Sequence, residues 1–305
     1  MRTNPAPRLG AVAAGAASLA LISACGGEDP FEEDGEPAGD GDQVVVGSSD
    51  FPESTLLGNI YAQALEAAGV EVDTRFDIGS REVYFDQITS GELSVFPEYN
   101  GGILFHLDSE AEAGDTEETN AEVEELLPDE LEILDSSPAE NKDSLTVRAD
   151  TADEEGLTAI PDLEPLAEDY TLGGPAEFES RPQGVPGLEA TYGLTFGEFS
   201  ALETAIIPQA LTENDVQVAN LFTTDPAITI NDFVVLDDPE NLFGSQNVTP
   251  LVNADSVDDT VRETLNEVSA QLTTEDLTAL NERVSIDHDD PDAVAADWLE
   301  SVGLD

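Results

Sequence analysis

The chain has 305 residues, with 68 Asp and Glu against nine Lys and Arg, and a formal net charge of −59 at pH 7. A field of that sign repels nucleic acid and anionic lipid surfaces, so no nucleic-acid partner is expected. Hydrophobic residues make up 40% of the chain, which supports packed cores and excludes general disorder.

The first segment reads as an export signal. Arg2 and Arg8 flank the start of an apolar stretch, Leu9 to Ile22, which is too short to span a bilayer comfortably and ends in small residues. The run Leu21-Ile22-Ser23-Ala24-Cys25 resembles a bacterial lipobox. The resemblance implies a lipoprotein signal peptide over 1–24, cleavage before Cys25 and lipid attachment to its thiol. The plainer alternative is an ordinary signal peptide with an incidental cysteine. Cys25 is the only cysteine, so no disulfide forms within the chain. Residues 25–43 are rich in Gly, Pro, Asp and Glu and read as an acidic flexible tether. The expected location is extracytoplasmic, lipid-anchored to the cell membrane.

From Val44 onward the pattern alternates between strand and helix. Val44 to Ser49 is a β-branched run ending in a turn. Pro52-Glu53-Ser54 opens a helix in which Leu56, Leu57, Ile60, Tyr61, Ala64 and Leu65 recur at helical spacing, and Gly69 ends it. Val70 to Ile78 alternates as a second strand. A helix over Arg81 to Thr89 follows, and Leu93 to Phe96 is a third strand delivering Pro97-Glu98-Tyr99-Asn100-Gly101-Gly102. Strand and helix in this order predict a parallel sheet covered by helices, with ligands outside the carboxyl ends of the strands. Ser49 and Tyr99 both stand at such ends. Gly47, Gly101 and Gly102 read as turn residues.

From Leu131 to Val147 the chain reads as a strand, the polar turn Glu140-Asn141-Lys142-Asp143 and another strand, and a second unit of the same kind begins there. Its expected elements are a helix over Ile160 to Ala167, a strand over Tyr170 to Gly174, helices near Gly187 to Tyr192 and Ile206 to Leu211, and a strand over Val216 to Phe222. Val234-Val235-Leu236 starts a return crossing, and the chain is helical from about Asp255, with Trp298 and Leu299 on a core face. The expected fold class is therefore α/β: two lobes joined by two crossings, near 140–147 and 234–250. A cleft between such lobes is a common small-ligand site.

Several segments are more specific. They are 44–54 (Val-Val-Val-Gly-Ser-Ser-Asp-Phe-Pro-Glu-Ser), 93–102 ending Pro-Glu-Tyr-Asn-Gly-Gly, and 181–188 (Arg-Pro-Gln-Gly-Val-Pro-Gly-Leu) with Tyr192-Gly193-Leu194. Residues 221–226 (Leu-Phe-Thr-Thr-Asp-Pro), 234–242 and 247–252 complete the set. Together, and in this order, they resemble the glycine betaine/choline-type substrate-binding proteins of ABC importers. The resemblance implies a two-lobe periplasmic-binding-protein fold, type II-like, with lobe 1 over 44–142 and 248–305 and lobe 2 over 143–247. It also implies capture of a compatible solute in the interlobe cleft, with ABC permease and ATPase subunits as partners and no cofactor or metal.

Carried over residue by residue, the resemblance implies ligand-binding positions at Ser49, Tyr99, Asn141, Asp143, Arg181, Phe222, Thr224 and Gln246. Tyr99 falls where the family has a cage aromatic. Phe222 replaces a usual tyrosine, keeping the π face and losing the hydroxyl. Asp143 and Gln246 fall near two further cage tyrosines, and Ser49 takes the place of a lysine or glutamine. A quaternary ammonium has no N–H to donate, so aromatic faces hold it, at roughly 0.5–2 kcal/mol each. A ligand carboxylate wants an arginine fork such as Arg181. With an incomplete aromatic cage, glycine betaine, choline, carnitine, proline betaine, ergothioneine-like betaines and neutral osmolytes all remain open, and so does a sensor of such a ligand.

Other classes lack their signatures. There is no Gly-x-Ser-x-Gly elbow, His-Glu-x-x-His helix, Walker loop or Asp-x-Asp-x-Asp-Gly calcium loop, and only His106 and His288 occur. No enzyme is expected. The spread of acids along the chain predicts life at high external salt, which screens their repulsion; moderate salt tolerance with an acidic proteome is the alternative.

Overall fold

The computed structural model describes residues 43–305 except 112 and 113. The expectations for the signal segment and Cys25 lie outside the described residues, as does most of the tether.

Val44–Gly47 forms β1, whose valines alternate between two buried faces. Pro52 then sits at the first turn of α1 (Pro52–Ala67), where its missing N–H costs nothing. Leu56, Leu57, Ile60, Tyr61 and Leu65 bury one stripe of α1. The strand β2 (Val72–Arg75) pairs parallel with β1, α2 spans Arg81–Thr89, and β3 (Val95–Tyr99) pairs parallel on the other side of β1. Two helices follow, α3 (Asn100–Leu107) and α4 (Thr116–Leu126). A reciprocal Asp115–Glu118 capping box starts α4. β4 (Leu131–Ile133) ends this half.

The chain then crosses at Glu140–Lys142 into a second sheet. Its elements are β5 (Asp143–Arg148), α5 (Ala149–Glu155), β6 (Thr171–Gly174), α6 (Val185–Tyr192), β7 (Glu198–Ala201), α7 (Ile207–Thr212), β8 (Val218–Phe222), α8 (Ala227–Ile230) and β9 (Phe233–Val235). The return delivers β10 (Val248–Asn253) to the first sheet, and α9 (Asp259–Gln271), α10 (Thr274–Ser285) and α11 (Pro291–Val302) finish the chain. The strand orders are β2-β1-β3-β10-β4 and β7-β6-β8-β5-β9. Each sheet is mixed. β10 lies antiparallel between β3 and β4, and β5 lies antiparallel between β8 and β9.

Each sheet has its own core. On one face of the first sheet α1 packs with α9 to α11 around Leu57, Ile60, Leu265, Leu277 and Trp298. On the other face Tyr84, Phe96, Ile103, Val123 and Leu251 pack together. The second sheet buries Leu145, Leu172, Val218 and Phe243. Full burial of such side chains stabilises by about 1.5–3 kcal/mol each.

Five details depart from the sequence expectation. The expected parallel sheet is mixed, because the return crossing delivers β10 antiparallel between β3 and β4. Ile160 to Ala167 is not one helix but two 3-10 turns, Ile160–Leu163 and Ala167–Asp169. Pro165 lacks an N–H and its ring opposes the carbonyl of Pro161, so no α-helix continues through it. Gly101 and Gly102 lie inside α3, not in a turn. Residues 234–235 belong to β9, an edge strand, so the return crossing comes later. The strand expected up to Val147 is present as β5, so the first crossing is confined to 140–142 and does not extend to 147. The two crossings run side by side: the Val248 amide donates to the Ala139 carbonyl at 3.0 Å, and the Asn141 amide to the Gln246 carbonyl at 3.0 Å.

Candidate functional site

A cavity of about 70 Å³ lies between the carboxyl ends of β1 and β3 in the first sheet and the ends of β5 and β8 in the second. One buried water needs roughly 10–15 Å³ of such space, so several waters or one small molecule fit.

Aromatic rings come to it from three elements. Phe51 precedes α1, Tyr99 ends β3 and Phe222 ends β8. The Phe51 ring lies between the other two, 6.5 Å from Tyr99 and 5.7 Å from Phe222 between centroids, inclined 27° to each. The Phe51–Phe222 contact joins the two lobes.

Arg181 follows a 3-10 turn at Ala176–Glu179 and faces the cavity from the second lobe. Its Nε and Nη2 donate to Glu82 on α2 of the first lobe, at 3.3 and 3.4 Å. Glu82 sits at about 2: burial works to raise it, and the Ser80 hydroxyl and the Arg181 charge outweigh that. Asp143 also faces the cavity and accepts from Asn220 Nδ2 at 3.0 Å. Burial raises the Asp143 carboxyl above its ordinary range, against the pull of Asn220 and Arg181.

Two buried carboxylates support these groups from behind. Glu98, 1% exposed, accepts from Arg81 Nε at 2.6 Å and Nη2 at 2.7 Å, from the Tyr99 amide at 2.9 Å and from the Tyr84 hydroxyl. Burial works to raise Glu98, but the Arg81 charge holds it below the usual carboxylate range. Glu53 accepts from the Tyr99 hydroxyl and from Asn141 Nδ2 at 2.6 Å on Oε1. Its Oε2 accepts from the Thr224 hydroxyl at 2.6 Å and from Asn281 Nδ2. The Tyr99 hydroxyl is raised well above its ordinary range, first by burial and then by the Glu53 charge, so it stays a proton donor.

Seven of the eight residues singled out in the sequence line this cavity: Ser49, Tyr99, Asn141, Asp143, Arg181, Phe222 and Gln246. Thr224 lines a smaller neighbouring cavity with Glu53 and Asn281. Six of the eight have side-chain polar atoms already engaged: Tyr99, Asp143 and Arg181 as described above, and Asn141, Thr224 and Gln246. Asn141 and Thr224 bond to Glu53. Gln246 takes the Gly102 amide at 3.0 Å and gives to the Phe243 carbonyl at 3.0 Å. The Ser49 amide is held by Ser54 Oγ at 2.9 Å, which fixes the turn from β1 into α1.

Sequence reasoning missed Phe51, Arg81, Glu98 and Gln183 as lining residues. Phe51 carried a usable signal, standing between a strand end and a Pro-initiated helix. Gln183 lies within the segment 181–188 and is 3% exposed, and its Oε1 has no partner among the described residues. No pattern local to Arg81 and Glu98 marks them as a pair.

Comparison with known proteins agrees with this architecture. The family model described as the substrate binding domain of ABC-type glycine betaine transport system (OpuAC) matches residues 42–301. The chain is 29% identical over 276 residues to the glycine betaine-binding protein YehZ of Escherichia coli K12, covering 85% of this chain and 90% of that one. It is 23% identical over 266 residues to the carnitine transport binding protein OpuCC of Listeria monocytogenes serotype 1/2a (strain 10403S), covering 85% and 86%. A solved glycine betaine/carnitine/choline ABC transporter structure superposes with a TM-score of 0.70 at 20% identity, covering 86% of this chain and 99% of that one, which gives the two-lobe fold. The family is one of ABC-transporter solute-binding proteins and not of enzymes. The chain belongs to the substrate-binding domains of ABC-type glycine betaine transport systems.

Proposed function

We propose that the protein is the extracytoplasmic binding component of an ABC importer and captures a quaternary-ammonium osmolyte in the interlobe cavity. The observation that carries this is the row of rings, Phe51, Tyr99 and Phe222, drawn from both lobes to one cavity. Ring faces attract a cation that has no N–H to give. Arg181 and Gln183 serve the polar end of the ligand, and Ser49 and Asp143 border it. Asn141, Thr224 and Gln246 shape the site and hold the lobes together. Lobe 1 comprises 44–142 with 248–305 and lobe 2 comprises 143–247, a division supported by the two sheets.

A ligand without a carboxylate, of the choline type, is the second reading. It is favoured by Asp143 facing the cavity and by Glu82 already occupying two nitrogens of Arg181.

The test is thermal-shift stabilisation in molar salt with glycine betaine, choline, carnitine, ergothioneine, amino acids and sugars. A ligand that binds only the folded form adds about 2.7 kcal/mol at a hundredfold excess over Kd. A shift with a quaternary ammonium supports the reading. A shift only with an uncharged solute, or none, overturns it.

The finer assignments complete the proposal. A signal peptide over 1–24 and a lipid on Cys25 tether the protein to the outer face of the cell membrane, beside its permease and ATPase. Cys25→Ser then abolishes incorporation of labelled lipid and releases the protein from the membrane; unchanged labelling removes the anchor. The acidic composition supports a habitat of high external salt.

A further inference from the structure

We propose that Glu53 is the counter-charge of the cavity: a buried carboxylate beyond the ligand's reach that acts through the Tyr99 ring to favour a cation. The inference deepens the quaternary-ammonium reading and rests on it.

Glu53 differs from the other buried carboxylate of the site. Glu98 is neutralised by the Arg81 fork. Glu53 is 5% exposed, and its four donors, Tyr99, Asn141, Thr224 and Asn281, are all neutral. No ion pair reaches it among the described residues. Its lone pairs are satisfied, but its charge is not cancelled. The positive end of α1, which begins one residue earlier, offsets part of that cost. An uncompensated buried charge is expensive to keep. A cation arriving in the cavity lowers that cost.

The route to the ligand is short. The Tyr99 hydroxyl donates to Glu53 Oε1, and the Tyr99 ring lines the cavity. A phenol that donates to a carboxylate gains electron density on its ring, so the ring face attracts a cation more strongly. Phe51, two residues before Glu53, stacks beside the same ring. Of the eight residues identified from the sequence, Tyr99, Asn141 and Thr224 all bond to Glu53. Glu53 is thus a positioning residue as well, since its partners come from both lobes and from the crossing.

A charge effect and a packing effect separate with isosteres. Glycine betaine and choline each have a tert-butyl analogue, in which a neutral carbon replaces the trimethylammonium nitrogen at the same shape. Calorimetric titration of the protein in molar salt with both pairs measures the preference for the cation. In Glu53→Gln that preference, the ratio of the two affinities, falls by at least about tenfold, the scale of one charge a few ångströms away in a partly screened interior, over and above any loss of positioning that weakens cation and analogue alike. Tyr99→Phe keeps the carboxylate but cuts the hydroxyl link, and loses part of the preference even if Glu53→Gln does not fold. Equal weakening for cation and analogue, or no change, overturns the inference alone. Wild-type protein that binds no quaternary ammonium of the thermal-shift panel overturns the quaternary-ammonium reading as well.

Discussion

Arg81 and Arg181 both face the cavity, and their surroundings give them different weights. Arg81 is 8% exposed and paired in a bidentate fork with the buried Glu98. Arg181 meets the half-exposed Glu82 at longer range, and pairs of that kind contribute about 0–1 kcal/mol. Arg81→Met therefore leaves Glu98 buried and unpaired, and costs about 3–5 kcal/mol at neutral pH. The sign with pH follows from Glu98. Its folded value is depressed, so its contribution is present above the unfolded value of roughly 4.3 and is lost as pH falls through the folded value. The gap between wild type and Arg81→Met in urea melts should shrink as pH falls, first as the unpaired Glu98 of the variant, raised by burial, takes up a proton, and further below about pH 4 as wild type loses its own contribution; a gap independent of pH would show that packing, not charge, sets it. Tyr99 and Phe222 were legible as single residues because each stands in a short segment that carries the family resemblance. The Arg81–Glu98 fork was not, because it joins residues on two elements that only packing brings together.

At the scale of elements, the passage from β3 to α3 has no loop. Asn100 begins the helix directly after Tyr99, and Gly101 and Gly102 fill its first turn. A Cβ on Gly101 would stand 2.1 Å from the Ser245 carbonyl oxygen, and one on Gly102 would stand 2.3 Å from Arg81 Nη2. These glycines exist for close approach, to the return crossing and to the guanidinium. Gly102→Ala is expected to displace Arg81 from Glu98 and destabilise by about 1–3 kcal/mol, read from the urea midpoint at constant slope. An unchanged midpoint would mean the guanidinium moves aside freely. The helices α1 and α2 were legible because their caps and spacing are local. The 3-10 turns near Ile160 were misread because apolar spacing was weighed and Pro165 was not. The capping box at Asp115 and Glu118 was a readable signal for α4 that the strand–helix pattern passed over.

For the whole molecule the dominant physical fact is charge. Residues 44–142 and 248–305 hold 39 Asp and Glu against five Lys and Arg, and residues 143–247 hold 21 against two. Both lobes repel themselves and each other, while Phe51–Phe222, Glu53–Thr224 and Glu82–Arg181 hold them together. Raising salt from 0.1 M to 1 M shortens the screening length from about 10 Å to about 3 Å. The melting temperature should therefore rise from dilute buffer to molar salt; a flat response would count against adaptation to high salt. The sequence by itself determined the α/β two-lobe class and the order of most elements, because apolar period and turn chemistry are local, and its resemblance to a family singled out seven residues that line the cavity. Only the tertiary structure decided what those residues do with their polar atoms. Glu53 lies 88, 171 and 228 positions from Asn141, Thr224 and Asn281, and no local pattern states which carboxylate such distant donors converge on.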